Sequence, residues 1–243
     1  KAPLPPPERK PMGDDSLRVS LQRVDSLVTM IGELVILQTV LSQQRHQITS
    51  PLLQRTVVQL NKITKEIQDT SMGLRMVPLK STFQKMQRIV RDTAKSLGKD
   101  IELVLTGEDT ELDKAVVDQL GDPLVHLIRN ACDHAIEMPE ERQQGGKSTT
   151  GTIRLKAGHQ GGKIVIEIAD DGKGLDAEKL REKALEKGLI HAGQQLSEKE
   201  CHHLIFAAGF STKAAVTDLS GRGVGMDVVK TNVEKVLKGE VQL

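Results

Sequence analysis

Two long amphipathic stretches separated by a single break constrain this chain's fold more than any other feature. In LRVSLQRVDSLVTMIGELVILQTVLSQQRH, Leu17, Leu21, Val24, Val28, Ile31 and Val35 step alternately by four and three, and Leu27, Leu34 and Leu41 widen the stripe. That spacing predicts a heptad-like helix of about 28 residues. The break falls at ITSP, where Ser50 suits an N-cap and Pro51 the first helical position. A second helix follows, with Leu53, Val57, Leu60, Ile63, Ile67 and Leu74 as its seam, and Pro78 of RMVP closes it. Two such helices joined by a short turn make an antiparallel hairpin, and a lone hairpin leaves apolar stripes in water. At about 1.5–3 kcal/mol per buried aliphatic side chain, pairing two hairpins into a four-helix bundle recovers much of that burial. Residues 16–80 therefore read as a homodimerisation module.

Charge and composition exclude several functions. Lys+Arg number 34 against 33 Asp+Glu, so the electrostatic footprint of a general nucleic-acid or membrane-surface binder is missing. With no Trp, no Tyr and three Phe, an aromatic platform for stacking bases is excluded, and the core must come from Leu, Ile, Val, Ala and Met. No unbroken run of about 18 apolar residues marks a membrane span, and no signal peptide opens the chain, so a cytoplasmic protein is expected. Cys132 and Cys201 lack CxxC spacing and read as free thiols, Cys132 in a packing role. Residues 1–15, KAPLPPPERKPMGDD, form a stiff proline-rich linker.

From residue 81 the texture changes. A helix seeded by Ser81 ends at Gly98, and IELVLTG reads as a strand. Thr110 and Asp113 stand at capping-box spacing ahead of the next helices. GTIRLKAGHQGGKIVIEIADDG reads as two strands joined by a glycine turn, and a charged helical segment covers 176–206. Helices beside an antiparallel or mixed sheet predict an α+β sandwich over 81–243.

Within it, HLIRNACDHAIE is unusual. At about 100° per residue, Leu124, Leu127, Ile128, Ala131 and Ala135 share one face, and His126, Asn130, Asp133, His134 and Glu137 gather opposite. Such a face suits metal binding or proton relay better than the Lys, Glu and Gln of an ordinary solvated helix. DDGKG, Asp170 to Gly174, leaves a strand, placing a carboxylate able to accept from an amino group beside glycines that let backbone approach a flat ring. GFSTK, 209–213, offers small hydroxyl residues for a lid. GRGVG, Gly221 to Gly225, runs into the helix MDVVKTNVEKVL and exposes backbone N–H groups where a phosphate chain is favoured. It is neither a P-loop nor a dinucleotide fingerprint.

The order of these motifs resembles the Bergerat ATP-binding fold of histidine kinases, Hsp90-type chaperones, gyrase-type topoisomerases and mismatch-repair ATPases. With RMVP and GEDTELDK upstream, residues 17–243 resemble the chemotaxis (CheA-type) histidine kinases. The resemblance implies a mainly α plus α+β chain: a hairpin forming a four-helix bundle on dimerisation, then a Bergerat-type α/β sandwich. By matching position, Asn130 holds Mg²⁺ against the phosphates of ATP, Asp170 reads adenine, and Gly172 and Gly174 shape that pocket. Gly221, Gly223 and Gly225 line the phosphate loop with Arg222, Val224 and Met226 beside them. His126 relays a proton. Asp133, His134, Lys179, Ser211 and Thr212 contribute around the nucleotide. Ala135 stands where the family pattern has glycine (DHGIE) and is expected to be tolerated.

The implied activity is transfer of the γ-phosphoryl of Mg-ATP to a histidine on a separate phosphotransfer domain, within a homodimer. The hairpin's histidine, His46, lies at its tip and is not expected to be the acceptor. A chemoreceptor and a CheW-type coupling protein are implied partners, with a response regulator downstream. The implied address is the cytoplasm, with chemoreceptor arrays at the membrane. The family pattern continues beyond GEVQL with a GxGT-type motif and closing strands, so the chain corresponds to a fragment. Two other readings stand beside this one. A Bergerat-fold ATPase activates water with Glu four residues before the Asn, where this chain has His126. A nucleotide-binding scaffold of a signalling complex would keep the motifs without activity.

Overall fold

The computed structural model describes residues 19–191, 193–210 and 225–243. The proline-rich linker of 1–15 lies outside them. The chain divides into two compact units, Lys1–Arg75 and Met76–Leu243.

The first unit is a helical hairpin. Helix α1, Leu21–Gln43, runs through a 3₁₀ turn, Gln44–Gln47, and α2, Pro51–Gly73, opens on the expected proline. On α1 the inward positions are the expected ones, with Val24 and Ile31 buried and Val28 and Val35 half-buried. On α2 the expectation is corrected. Val57, Thr64 and Ser71 are buried, whereas Leu53, Ile63 and Leu74 are 55%, 44% and 63% exposed. The inward heptad of α2 is Gln54, Val57, Asn61, Thr64 and Ser71, and its larger apolar residues form a second stripe about a quarter turn away. Asn61 Nδ2 donates to Ser42 Oγ at 2.9 Å, and Gln38 Nε2 donates to Asn61 Oδ1. Thr64 Oγ1 and Ser71 Oγ are buried without a hydrogen-bond partner among the described residues.

Leu27, Met30, Leu34, Leu37 and Leu41 make a matching exposed stripe on α1. Antiparallel helices turn in opposite senses when viewed from one end. Equal angular offsets therefore bring both stripes to the same side of the hairpin. By length and mean hydropathy, 1.7, the span Gln22–Gln47 also qualifies as a membrane-crossing helix, a match missed by looking only for an unbroken apolar run. A bundle's central helix has the same composition, and the four-three spacing is that of an interhelical seam.

The second unit begins with strand β1, Met76–Pro78, where the sequence suggested the tail of α2. Helix α3, Lys80–Leu97, ends as expected on Gly98 at φ 65°. Strands β2, Ile101–Thr106, and β3, Glu111–Asp113, lead into α4, Lys114–Asn130, which continues through a π-helical turn, Ala131–Ala135. Asp113 is the N-cap of α4, accepting from the Ala115 amide at 2.8 Å. The capping box expected from Thr110 is displaced because Glu111–Asp113 pairs as a strand with Met76–Pro78.

Helix α5, Pro139–Gln144, precedes strands β4, Gly151–Gln160, and β5, Lys163–Asp170. These two form the expected hairpin, turned by Gly161 and Gly162 at φ 58° and 77°. The described sheet runs β2-β4-β5, with β2 parallel to β4 and β5 antiparallel to it. Ile153, Leu155 and Ala157 alternate inward along β4 and meet Phe83 and Met86 of α3 and Leu124 and Ile128 of α4 in one core. A smaller cluster joins Ala184 of α6, Ala177–Glu186, to Ile190 and Phe210, with α7, Glu198–His203, between them in sequence. Last comes α8, Met226–Thr231, followed by a second π turn, Asn232–Val236.

Candidate nucleotide site

Helix α4 forms because Asp113 caps its start and one face is apolar, with Val117, Leu124 and Ile128 buried. Pro123 sits inside it, buried, and removes one backbone donor from the ladder. The helix widens at Ala131–Ala135 and the chain is extended by Ile136. This corrects the single polar face expected up to Glu137. His126 and Asn130 share the α-helical face, Asp133 and His134 lie on the π turn, and Glu137 is beyond the helix.

Lys99 secures this ending. Its ammonium donates to the carbonyls of Cys132, Asp133 and Ile136 at 2.8, 2.8 and 2.7 Å. Carbonyls at a helix C-terminus lack intrahelical donors, and a cation there also meets the negative end of the helix dipole. Nothing in the motifs pointed to Lys99, because its partners are backbone atoms more than thirty positions away in sequence.

Asn130 Nδ2 donates to Met226 Sδ at 3.5 Å, so the amide stands at the first residue of α8. Gly225, buried, is the N-cap of that helix. Asn130 Oδ1 has no hydrogen bond to a described residue, which leaves an oxygen of the right hardness for Mg²⁺. His126 is half-buried. Burial, then the charges of Arg129 and His134, pushes its pKa below the ordinary histidine value, so the ring is neutral at pH 7. His134 Nε2 lies 3.4 Å from Asp133 Oδ2, both side chains partly exposed. Cys132 is fully buried, and burial raises its thiol to about 11, which fits the packing role.

The DDGKG loop meets the other end of this helical segment. The Lys173 amide donates to Ala135 O at 3.0 Å. A Cβ on Gly172 would lie 2.2 Å from that same carbonyl, so only glycine fits. Gly174 has φ 71°, the left-handed region glycine favours. Asp170 is exposed, and its Oδ1 accepts from the Gly172 amide at 3.0 Å. Ala135 meets the loop through its backbone carbonyl.

The two aspartates of the motif differ in their partners. Asp171 accepts from the Thr152 amide at 2.8 Å and from Arg142 at 2.9 Å. Glu137 accepts from Arg142 at 3.0 Å and Lys147 at 2.7 Å. Burial raises the pKa of Asp171, but the Thr152 and Arg142 hydrogen bonds and the charges of Arg142 and Lys147 carry it below the ordinary value. Glu137 behaves alike, with burial outweighed by hydrogen bonds from Lys147, its own backbone and Arg142.

Lys179 is not brought to this cluster by any contact among the described residues. It pairs with Asp176, the N-cap of α6, at 3.0 Å and is well exposed. Gly209 and Phe210 are fixed through their carbonyls by Lys187 Nζ, at 2.8 and 3.2 Å. Ser211, Thr212, Gly221, Arg222, Gly223 and Val224 lie outside the described residues.

The family described as histidine kinase-, DNA gyrase B-, and HSP90-like ATPase matches residues 119–243. The homodimeric domain of signal transducing histidine kinases matches residues 14–74. Chemotaxis protein CheA of Rhizobium meliloti is 48% identical over 231 residues, covering 94% of this chain and 30% of its own length. Chemotaxis protein CheA of Salmonella typhimurium is 44% identical over 232 residues, covering 94% of this chain and 34% of its own. The chain thus spans about a third of the length of these curated relatives. Among solved structures, a histidine kinase domain from Erythrobacter litoralis covers 76% of this chain and 84% of its own, at 14% identity and a TM-score of 0.32. The chain belongs to the histidine kinase-, DNA gyrase B-, and HSP90-like ATPase family, and over 94% of its length it is similar to proteins named chemotaxis protein CheA.

Proposed function

We propose that the chain is the dimerisation and ATP-binding core of a chemotaxis histidine kinase, which transfers the γ-phosphoryl of Mg-ATP to a histidine on a separate phosphotransfer domain. One observation carries this reading. The segment Lys114–Ala135 touches the DDGKG loop at one end, through Ala135 O, and the start of α8 through Asn130. A base-reading loop and a phosphate-binding helix must be held at fixed separation by a common support, and this segment is that support.

In this reading Asn130 Oδ1 holds Mg²⁺, Asp170 accepts from the 6-amino group of adenine, and Gly172 and Gly174 let the backbone lie close to the ring. Bound Mg²⁺ supplies charge neutralisation at the phosphates, the principal need of a phosphoryl transfer. As the acceptor imidazole forms its P–N bond and the bond to ADP breaks, the imidazole sheds a proton. Neutral His126 is the described group fit to receive it. Asp133 and His134, on the π turn that follows Asn130, keep the contributing roles around the nucleotide that the resemblance assigns them. Lys179, Ser211, Thr212, Gly221, Arg222, Gly223, Val224, Gly225 and Met226 retain the nucleotide-contacting roles the resemblance assigns them.

The exposed stripes of α1 and α2 support a homodimer through the hairpin, as does the match to a homodimeric domain. Chemoreceptor, CheW-type coupling protein and response regulator are the partners proposed for the whole protein. His126 in place of a water-activating Glu favours kinase over ATPase.

The test is titration of a fluorescent ATP analogue into the native chain and Asn130→Ala, with and without Mg²⁺. Mg-dependent binding lost in the variant is expected, followed by phosphotransfer to a supplied histidine domain. Equal binding by both proteins would remove Asn130 from the site, and no binding to the native chain would overturn the reading.

A further inference from the structure

Arg142 on α5 is 2% exposed, the largest of the fully buried side chains. Its Nη2 meets Asp171 Oδ2 at 2.9 Å, and its Nη1 meets Glu137 Oε2 at 3.0 Å and Asp171 O at 3.3 Å. Lys147, in the loop before β4, donates to Glu137 Oε1 at 2.7 Å, Asp171 O at 3.0 Å and Gly172 O at 2.9 Å. Both cations therefore converge on one peptide group, the bond from Asp171 to Gly172.

The carbonyl and amide of a trans peptide point in opposite directions from one rigid plane. Here the carbonyl, Asp171 O, faces the two cations, and the amide, Gly172 N–H, donates to Asp170 Oδ1 at 3.0 Å. Rotating the plane would break the cation contacts and the Asp170 contact together. It cannot relax toward the helix, because Gly172 is packed against Ala135 O. Hydrogen bonds from charged donors are the stronger kind, so the cations dominate the plane's orientation.

We propose that Arg142 and Lys147 are positioning residues for the base-reading carboxylate of Asp170, acting through the Asp171–Gly172 peptide plane. The proposal rests on the reading of Asp170 given above. Neither cation lies in the sequence motifs that mark the nucleotide site, and neither need touch ATP. Arg142 is the anchor, fixing Asp171 to Glu137, and Lys147 is the adjustable partner at the surface.

Removing Arg142, itself buried, would leave two partly buried carboxylates without their shared cation, so its loss tests folding as much as positioning. Lys147, 37% exposed at its side chain, is the better probe. Competition of ATP and GTP against a fluorescent ATP analogue is measured for the native chain, Lys147→Met, Lys147→Arg and Asp170→Ala, with a thermal melt of each. Lys147→Met, which removes all three Lys147 hydrogen bonds, is expected to weaken ATP about tenfold, while GTP changes far less. Lys147→Arg, which keeps the charge and donors, should restore most of the preference. Equal weakening of ATP and GTP with a lowered melting temperature would show a structural role only and overturn the proposal. An unchanged ATP preference in Lys147→Met, where Asp170→Ala loses it, would overturn the proposal alone. An unchanged preference in Asp170→Ala would overturn the reading beneath it.

Discussion

Gly172 has no space for a methyl group, since a Cβ would fall 2.2 Å from Ala135 O. Gly172→Ala should therefore push the loop off the π turn, with an overpacking cost of about 1–3 kcal/mol. We expect ATP affinity to drop at least about tenfold and the melting temperature by several degrees, read by nucleotide titration and calorimetry; native affinity would show that the loop yields freely. Residues of this kind were legible in the sequence, because glycine at a strand end has few explanations besides a turn or a close approach. Asn130 and Asp170 stand out in the sequence for their chemistry, and the structure sets them against Met226 and the Gly172 amide. Lys99, Arg142 and Lys147 do not stand out. They act on backbone carbonyls or carboxylates that only the fold brings near, and a surface lysine has the same letter.

At the scale of elements, the π turn and the α2 seam escaped a reading based on a uniform period. A five-residue turn at Ala131–Ala135 shifts everything after it, so Glu137 leaves the face assigned to it at 100° per residue. In α2 the larger apolar residues suggested the inward face, but the chain turns Val57, Thr64 and Ser71 inward and keeps the larger stripe outside. Strands β4 and β5 were legible throughout, since alternation and a Gly-Gly turn coincide. The ion-pair cluster around Arg142 carries a pH dependence. Glu137 and Asp171 have folded pKa values below their unfolded ones. Their contribution is fully present above the ordinary carboxylate pKa values and is lost as pH falls through the lowered folded ones. Urea melts across that range should show stability falling with acid, and Glu137→Gln should flatten the slope. An unchanged slope would place the acid sensitivity elsewhere.

At the scale of the whole molecule, the association and the nucleotide binding proposed above fall in separate compact units, so each should fail alone. Asn130→Ala is expected to sediment as the dimer proposed for the native chain. Ile63→Asp places a charge on the exposed stripe of α2 and should weaken the dimer about a hundredfold while Mg-ATP binding persists. Sedimentation velocity against concentration checks both, and a dimeric Ile63→Asp chain would exclude that stripe from the interface. The division inside the hairpin has a further consequence. Its inner seam joins Val24, Ile31 and Val57 to the hydrogen-bonded Gln38, Ser42 and Asn61, whereas its outer stripe carries Leu27, Leu34, Leu37, Leu53, Ile63 and Ile67. In the proposed dimer, choice of mate and correctness of fold thus depend on different residues. After a gene duplication, two copies would at first exchange subunits and mix their signals. Recoding the outer stripe in one copy would insulate the two lines without disturbing either hairpin.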